Sequence, residues 1–114
     1  MTTNDRFSAN TQAMIEAALT DSGDTDSALR RAIAAHAYEL GGHALHKSSE
    51  IPTELQTYVK KVALYAYKVT DEDVAALREA GYSEDAIFEI TVSAALGAGI
   101  ARLDRGLAAL EGER

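Results

Sequence analysis

The sequence predicts an all-α fold of about five helices, and three observations support this prediction. The 114 residues contain a single proline, and no Asn-Gly or Asp-Gly dipeptide, the usual signal of a tight β-hairpin, occurs among them. Apolar residues recur at helical spacing, whereas β-branched residues do not alternate with polar ones. The length suits one domain. We expect an N-terminal helix and acidic linker over residues 1–26, followed by a helical domain over residues 27–114.

The first half of the chain predicts two helices. The first covers residues 7–19 and is weakly patterned, and the polar, glycine-containing stretch 20–26 after it is the best linker. The second runs from Ser27 to about His46, because its apolar residues recur near a period of 3.6. Gly41-Gly42 lies inside it and costs roughly 1 kcal/mol per glycine relative to alanine, so this helix is expected to bend or stop early.

The second half predicts two more helices before the last one. Pro52 suits a helix start, and a clean apolar stripe extends over Thr53–Lys68. The next helix begins at Thr70, whose spacing to Asp73 resembles a capping box. It ends at Gly81, a natural left-handed residue after a helix.

The last helix is predicted to be capped by Ser83 and to run to about Leu110. Glu84 and Asp85 lie in its first turn, where the helix dipole favours negative charge. Its middle, residues 94–99, has unusually small side chains that let another backbone come close. This pattern favours a tightly packed helix pair, in the core or at a subunit interface, and a merely alanine-rich stretch is the alternative.

Composition limits the partners. The formal net charge of −7 disfavours a phosphate-backbone partner, which needs a basic patch, and the scattered Lys and Arg residues disfavour an anionic membrane. The longest uncharged apolar run, residues 90–101, is too short to span a bilayer. Because no signal peptide is evident, we expect a cytoplasmic protein. Alanine buries little area, so a homo-oligomer is expected.

Four positions and one turn in the second half share the spacing of a known motif. Glu54 is followed by Ala66, Val69 and Asp73, with eleven, two and three residues between successive positions. The segment 79–87, EAGYSEDAI, then joins two helices through a glycine and a serine cap.

This region resembles the alkylhydroperoxidase-D / carboxymuconolactone-decarboxylase family, which carries Glu-x11-Cys-x2-Cys-x3-His before such a turn. The resemblance covers residues 54–110, about half of the chain, and includes Arg102 near its end. Glu54 is retained, whereas Ala66 and Val69 stand at the cysteine positions and Asp73 at the histidine position. We call these three residues the vacated motif.

The resemblance implies the family's helical fold with its redox chemistry removed. The redox-active members resemble peroxidases that need a thiolate, which is the nucleophile toward a peroxide. The chain contains no cysteine, which excludes thiol peroxidase activity, disulfides and Cys-ligated metals. A decarboxylating branch of the family that does not depend on the cysteine pair keeps a lyase function open.

Glu54 and Asp73 are the candidate catalytic residues. Glu54 stands at the family's relay carboxylate, and a nearby Asp73 could share a proton with it, because two close carboxylates raise one pKa. The simpler interpretation is structural. Glu54 then lies in a helix first turn behind a cap at Thr53, and Asp73 belongs to the capping box of Thr70.

His36, Glu39, His43 and His46 lie on the second predicted helix. At about 100° per residue, His36 and His43 share one face, so the set could bind a divalent metal. A hydrogen-bonded buried histidine, or a pH-sensitive subunit contact, is the simpler interpretation, and no cofactor is expected. Tyr58 shares a face with another tyrosine, Tyr65, so the two could line a small-ligand pocket together with the histidines. Amphipathic packing is again the alternative.

These observations favour a redox-inactive protein with a binding, structural or accessory-subunit role, within a homo-oligomer or a larger complex. A cofactor-independent lyase, decarboxylase or isomerase using Glu54 on a small organic acid is one alternative, and it requires a closed pocket around Glu54. A metal-binding helical module using His36 and His43 is the other.

Overall fold

The computed structural model describes residues 2–41 and 51–112 of the chain, with the side chains of residues 10, 12–40 and 51–112. These residues form helices and loops and contain no strand, so the predicted all-α class is confirmed. In chain order the helices are α1 (Thr2–Thr20), α2 (Ser27–Gly41), α3 (Thr53–Tyr65), α4 (Asp71–Glu79) and α5 (Glu84–Leu110), and a single 3₁₀ turn (Ala66–Lys68) follows α3.

The backbones of α2 and α5 approach each other closely. A Cβ atom built on Gly97 of α5 would lie only 2.1 Å from the carbonyl oxygen of Ala34 in α2. Ala94 and Ala98, next to Gly97 on the same face, are also buried. The buried residues of the small middle, Ala94, Gly97 and Ala98, therefore serve close helix packing inside the chain, which is one of the outcomes left open by the sequence.

The core lies between α2, α3 and α5, with α4 closing one side. Its fully buried side chains come from three helices and belong to one cluster: Ile33, Ala37, Leu55, Val59, Ile90 and Ala94. A second, smaller cluster joins α1 to the outside of this core through Ile15, Leu19 and Ala34. The N-terminal helix is thus packed on the domain along its C-terminal half.

Two capping motifs fix the path around α4. The Thr70 side chain accepts a hydrogen bond from the Asp73 amide, and the Asp73 carboxylate accepts one from the Thr70 amide, so the capping box is complete. At the other end Gly81 has a φ of 108°, a conformation that favours glycine. The amides of Gly81 and Tyr82 donate to the carbonyls of Arg78 and Leu77, which completes a Schellman motif.

Several predicted helix ends shift in the structure. α1 begins at Thr2 rather than at residue 7. Residues 2–6 lack an apolar pattern, but they contain no proline or glycine that would end a helix. Pro52, not Thr53, is the N-cap residue of α3. The α-helical part of α3 ends at Tyr65, since the following 3₁₀ turn leads the chain to the extended residue Val69. The predicted continuation of α2 from Gly42 to His46 lies outside the described residues.

The helix α5 is long and apolar enough to cross a membrane by length and composition alone, and it is the one such helix in the described part of the chain. The uncharged run 90–101 is by itself too short to span a bilayer. An 18-residue window of α5 is long enough when up to two charged residues are allowed in it. In this fold 44% of that window is buried against other helices, so the same apolar residues also form a protein core.

Replacing Gly97 with alanine tests the α2–α5 contact. We expect a loss of about 1–3 kcal/mol in the free energy of unfolding, because the new methyl group overlaps a backbone oxygen that cannot rotate away. Gly99 is the matched control, since no described atom lies within 4 Å of the place that its Cβ atom would take. Gly99→Ala should stabilise the chain by about 0.5–1 kcal/mol. Urea denaturation of dilute protein measures both, and equal effects at the two positions would contradict the close contact.

Candidate functional site

The vacated motif lies where α3 gives way to α4. Ala66 opens the 3₁₀ turn and is exposed, Val69 follows it and is half-buried, and Asp73 lies in the first turn of α4. The amide of Val69 donates to the carbonyl of Ala66 at 3.1 Å, so one backbone hydrogen bond joins the two residues across a single turn. Neither alanine nor valine offers a nucleophile or a ligand atom here.

Asp73 is held by an ion pair that the sequence did not reveal. Both of its carboxylate oxygens accept hydrogen bonds from Lys61 Nζ, at 3.0 and 2.9 Å. The Lys61 ammonium, followed by the Thr70 amide and hydroxyl, lowers the pKa of Asp73 below its ordinary value of 3.8. With side-chain exposures of 30% for Lys61 and 24% for Asp73, the pair is partly sheltered from water. Asp73 therefore stays ionised and ties α3 to the start of α4.

Glu54 makes a different contact on another side of α3. Its carboxylate accepts a hydrogen bond of 2.7 Å from the hydroxyl of Tyr82, which follows the Gly81 turn. This bond, followed by a hydrogen bond from the backbone amide of Glu54 itself, lowers the pKa of the Glu54 carboxyl group. Burial, and then the neighbouring carboxylate, raise the pKa of Tyr82 to about 12. Glu54 thus fastens the start of α3 to the loop between α4 and α5.

The structure gives the two candidate catalytic carboxylates separate partners, Tyr82 for Glu54 and Lys61 for Asp73. A shared proton needs one raised carboxyl pKa, whereas the pKa of each is lowered by its own donors. The Glu54 side chain is also exposed to solvent. The described residues therefore form no closed pocket of the kind that the lyase hypothesis requires around Glu54.

Tyr58 and Tyr65 are in different surroundings. Tyr58 is buried, and its hydroxyl is 2.7 Å from the Thr91 hydroxyl of α5, so it packs between α3 and α5. Tyr65 is 44% exposed, and its ring lies 5.4 Å from the Lys68 ammonium in a cation–π contact. The structure does not bring the two phenols together around a ligand pocket.

The proposed metal ligands are divided between described and undescribed parts of the chain. His36 and Glu39 are half-buried on α2, whereas His43 and His46 lie outside the described residues. Among residues with described side chains, no group of three or more His, Asp or Glu could hold a metal ion.

Glu89 is a third carboxylate with several hydrogen-bond donors, and sequence reasoning missed it. It lies on α5 and accepts hydrogen bonds from the amides of Asp24 and Thr25, at 2.8 Å each, and from the Thr25 hydroxyl at 2.6 Å. Burial alone would raise the pKa of Glu89, but these donors and the Arg30 guanidinium outweigh it, so the pKa is lowered. In the sequence, only the polar character of residues 20–26 could have suggested these hydrogen bonds, which we call the linker clamp.

Arg30 completes the attachment of the linker. This buried guanidinium on α2 donates to three backbone carbonyls, those of Ala18, Asp21 and Thr25. The carbonyls of a helix end and of a polar loop are thereby satisfied in a region with few helical partners. Glu89 and Arg30 together make the segment 20–26 an ordered part of the fold rather than a free linker.

Arg102, the other charged residue of the family resemblance, binds backbone as well. Its guanidinium donates to the carbonyl of Ala63 at 2.8 Å, near the C-terminal end of α3. A cation at this end is favourable for the helix dipole. The charged residues singled out by the resemblance, Glu54, Asp73 and Arg102, each fasten one element to another.

No protein-family model, curated protein or solved structure matches this chain. Its class rests on its own geometry: an all-α domain in which the candidate carboxylates hold helix starts and a linker in place.

Removing the Glu89 carboxylate should detach the linker. For Glu89→Ala we expect a loss of about 1–3 kcal/mol in the free energy of unfolding, because two backbone amides and one hydroxyl lose their acceptor. Amide hydrogen exchange at residues 21–26 should accelerate most. Glu79→Ala, an exposed residue at the end of α4, is the control. Unchanged exchange at residues 21–26 in Glu89→Ala would contradict the clamp.

The lowered carboxyl pKa values predict the pH dependence of stability. A carboxyl group whose pKa is lower in the folded than in the unfolded chain stabilises the fold above its unfolded pKa, and this contribution is lost as the pH falls. Unfolding free energy should therefore fall as the pH drops below about 4.5, the ordinary value for glutamate. In Asp73→Asn the free energy of unfolding should fall less steeply at acid pH, as measured by urea titrations at several pH values. An unchanged slope in that variant would show that Asp73 is not held as described.

Proposed function

We propose that this chain is a redox-inactive protein of the alkylhydroperoxidase-D / carboxymuconolactone-decarboxylase type with a binding, structural or accessory-subunit role. Its partners would be further copies of itself or a larger protein complex. The observation that carries the proposal is the Lys61–Asp73 ion pair. At the position where the family has a catalytic histidine, this chain has a carboxylate that is ionised and engaged with a lysine and a helix cap.

The remaining candidate groups support the same role. An acid–base catalyst needs a pKa near the working pH and a reacting group within reach. Glu54 instead has a lowered pKa, and its donor is a tyrosine whose pKa is raised to about 12. Both groups therefore keep their protonation states fixed at neutral pH, which suits a structural bond better than proton transfer.

The experiment compares wild type with Glu54→Gln and Asp73→Asn. Purified wild type should consume neither hydrogen peroxide with a thiol reductant nor small lactone and keto acids, as followed by peroxide assay and proton NMR. Both variants should retain the assembly size that native mass spectrometry finds for the wild type. Tyr82→Phe is the matched control, because it removes the hydrogen bond to Glu54 and leaves the carboxylate. Turnover by wild type that Glu54→Gln abolishes, with folding intact, would overturn the proposal.

A further inference from the structure

The helix α5 has one face that nothing in the described chain covers. α2 packs on the side that carries Gly97, and α3 contacts α5 through Thr91 and Arg102. On the open face Phe88 is 68% exposed, and Leu103 and Leu110 are 41% and 84% exposed. Exposed apolar side chains that are grouped on one face, unlike scattered ones, mark an interaction site, so this face has the character of a contact surface.

Two glycines on this face lack a role within the described chain. A glycine in a helix interior costs roughly 1 kcal/mol relative to alanine. The cost at Gly97 is explained by Ala34, whereas a Cβ atom added at Gly99 or Gly106 would meet no described atom within 4 Å. Both residues are exposed. An approaching helix backbone or a bulky side chain from outside would account for the absence of side chains at these two places.

The exposed phenylalanine and the open glycines are arranged for self-association. At about 100° per residue, Phe88, Ala95, Gly99 and Gly106 lie within about 40° of one another around the helix axis. A two-fold axis at the level of Gly97 relates two antiparallel copies of α5. It sets Ala95 opposite the partner's Gly99, and it sets the Phe88 ring over the open space at the partner's Gly106.

The charges and the dipole of α5 favour the antiparallel orientation. The exposed acidic residues Glu84 and Asp85 lie in the first turn of α5, whereas the last turns carry both signs, with Asp104 between Arg102 and Arg105. Parallel copies would set the two acidic first turns side by side, which is unfavourable. Antiparallel copies separate these turns and pair opposite ends of the two helix dipoles.

We infer that a second copy of this chain binds along the open face of α5, in antiparallel orientation with Phe88 seated at the partner's Gly106. This inference rests on the proposed binding role and names its partner. A strip along the 27 residues of α5 is about 40 Å long and about 11 Å wide. It covers roughly 450 Å² per copy, on the order of 900 Å² in total, close to the lower limit for a specific interface. The dimer should therefore dissociate in the micromolar range.

Sedimentation equilibrium of the full chain at several concentrations tests the interface. Phe88→Ser and Gly106→Leu should each raise the dissociation constant at least tenfold. A Cβ atom at position 106 meets no described atom within 4 Å, and leucine improves helix propensity, so the helicity and the unfolding midpoint of dilute Gly106→Leu should not fall. Tyr67→Ser is the matched control, because Tyr67 is an aromatic residue with 82% exposure that lies on the 3₁₀ turn rather than on α5. A dissociation constant that neither α5 variant changes would overturn the inference.

Cross-linking tests the orientation, and the absence of native cysteine makes introduced thiols unique. An oxidised mixture of Phe88→Cys and Gly106→Cys chains should yield a disulfide-linked heterodimer. Phe88→Cys alone should not cross-link, because its two copies would lie about 27 Å apart along the axis, far beyond disulfide reach. Cross-linked Phe88→Cys homodimers would overturn the antiparallel arrangement.

The result separates this inference from the proposed function. A chain that stays monomeric at millimolar concentration, or that inserts into phosphatidylcholine vesicles instead of dimerising, would overturn the inference and leave the activity comparison of Glu54→Gln untouched. Turnover that depends on Glu54 would overturn the non-catalytic role, while the sedimentation and cross-linking results would still decide whether α5 forms the interface.

Discussion

The close approach of α2 and α5 at Gly97 and Ala34 is the constraint on which the rest of the fold depends. Because the two backbones meet where a side chain would be, α2 and α5 are held at a short separation, and Ile33 and Ile90 are fully buried between the helices. The same fixed pair positions Arg30 and Glu89, whose side chains reach the linker from opposite helices. The order of the N-terminal region thus follows from one glycine far along the chain.

Local signals in the sequence predicted the local structure well. Three local motifs depend on residues only a few positions apart: the capping box at Thr70, the left-handed Gly81 and the serine cap before α5. The sequence alone is therefore enough to predict them. The helix starts at Ser27 and Thr53 and the end near Leu110 were predicted for the same reason. The 3₁₀ turn after Tyr65 was not, because it depends on how α3 meets α4 rather than on its own residues.

The candidate site was harder to predict because its bonds span long sequence distances. Nothing near Asp73 in the sequence indicates that Lys61 would neutralise it, and Glu54 lies far from Tyr82 along the chain. Motif spacing can mark where chemistry would occur, but the partner of each carboxylate is decided by tertiary packing. A carboxylate that finds a strong donor becomes a structural group, whereas the same residue in a dry, unpaired position becomes an acid or a base.

The attachment of the linker to Glu89 has a consequence for biosynthesis. Asp24 and Thr25 are separated from Glu89 by 65 and 64 residues, which a ribosome adds in roughly 3–13 s at about 5–20 residues per second. During that interval α2 has been made without the helix that covers it. The surface of α2 that α5 later covers combines the small Ala34 and Ala37 with the larger Ile33, so Ile33 presents an apolar side chain to chaperones and to neighbouring nascent chains during that interval.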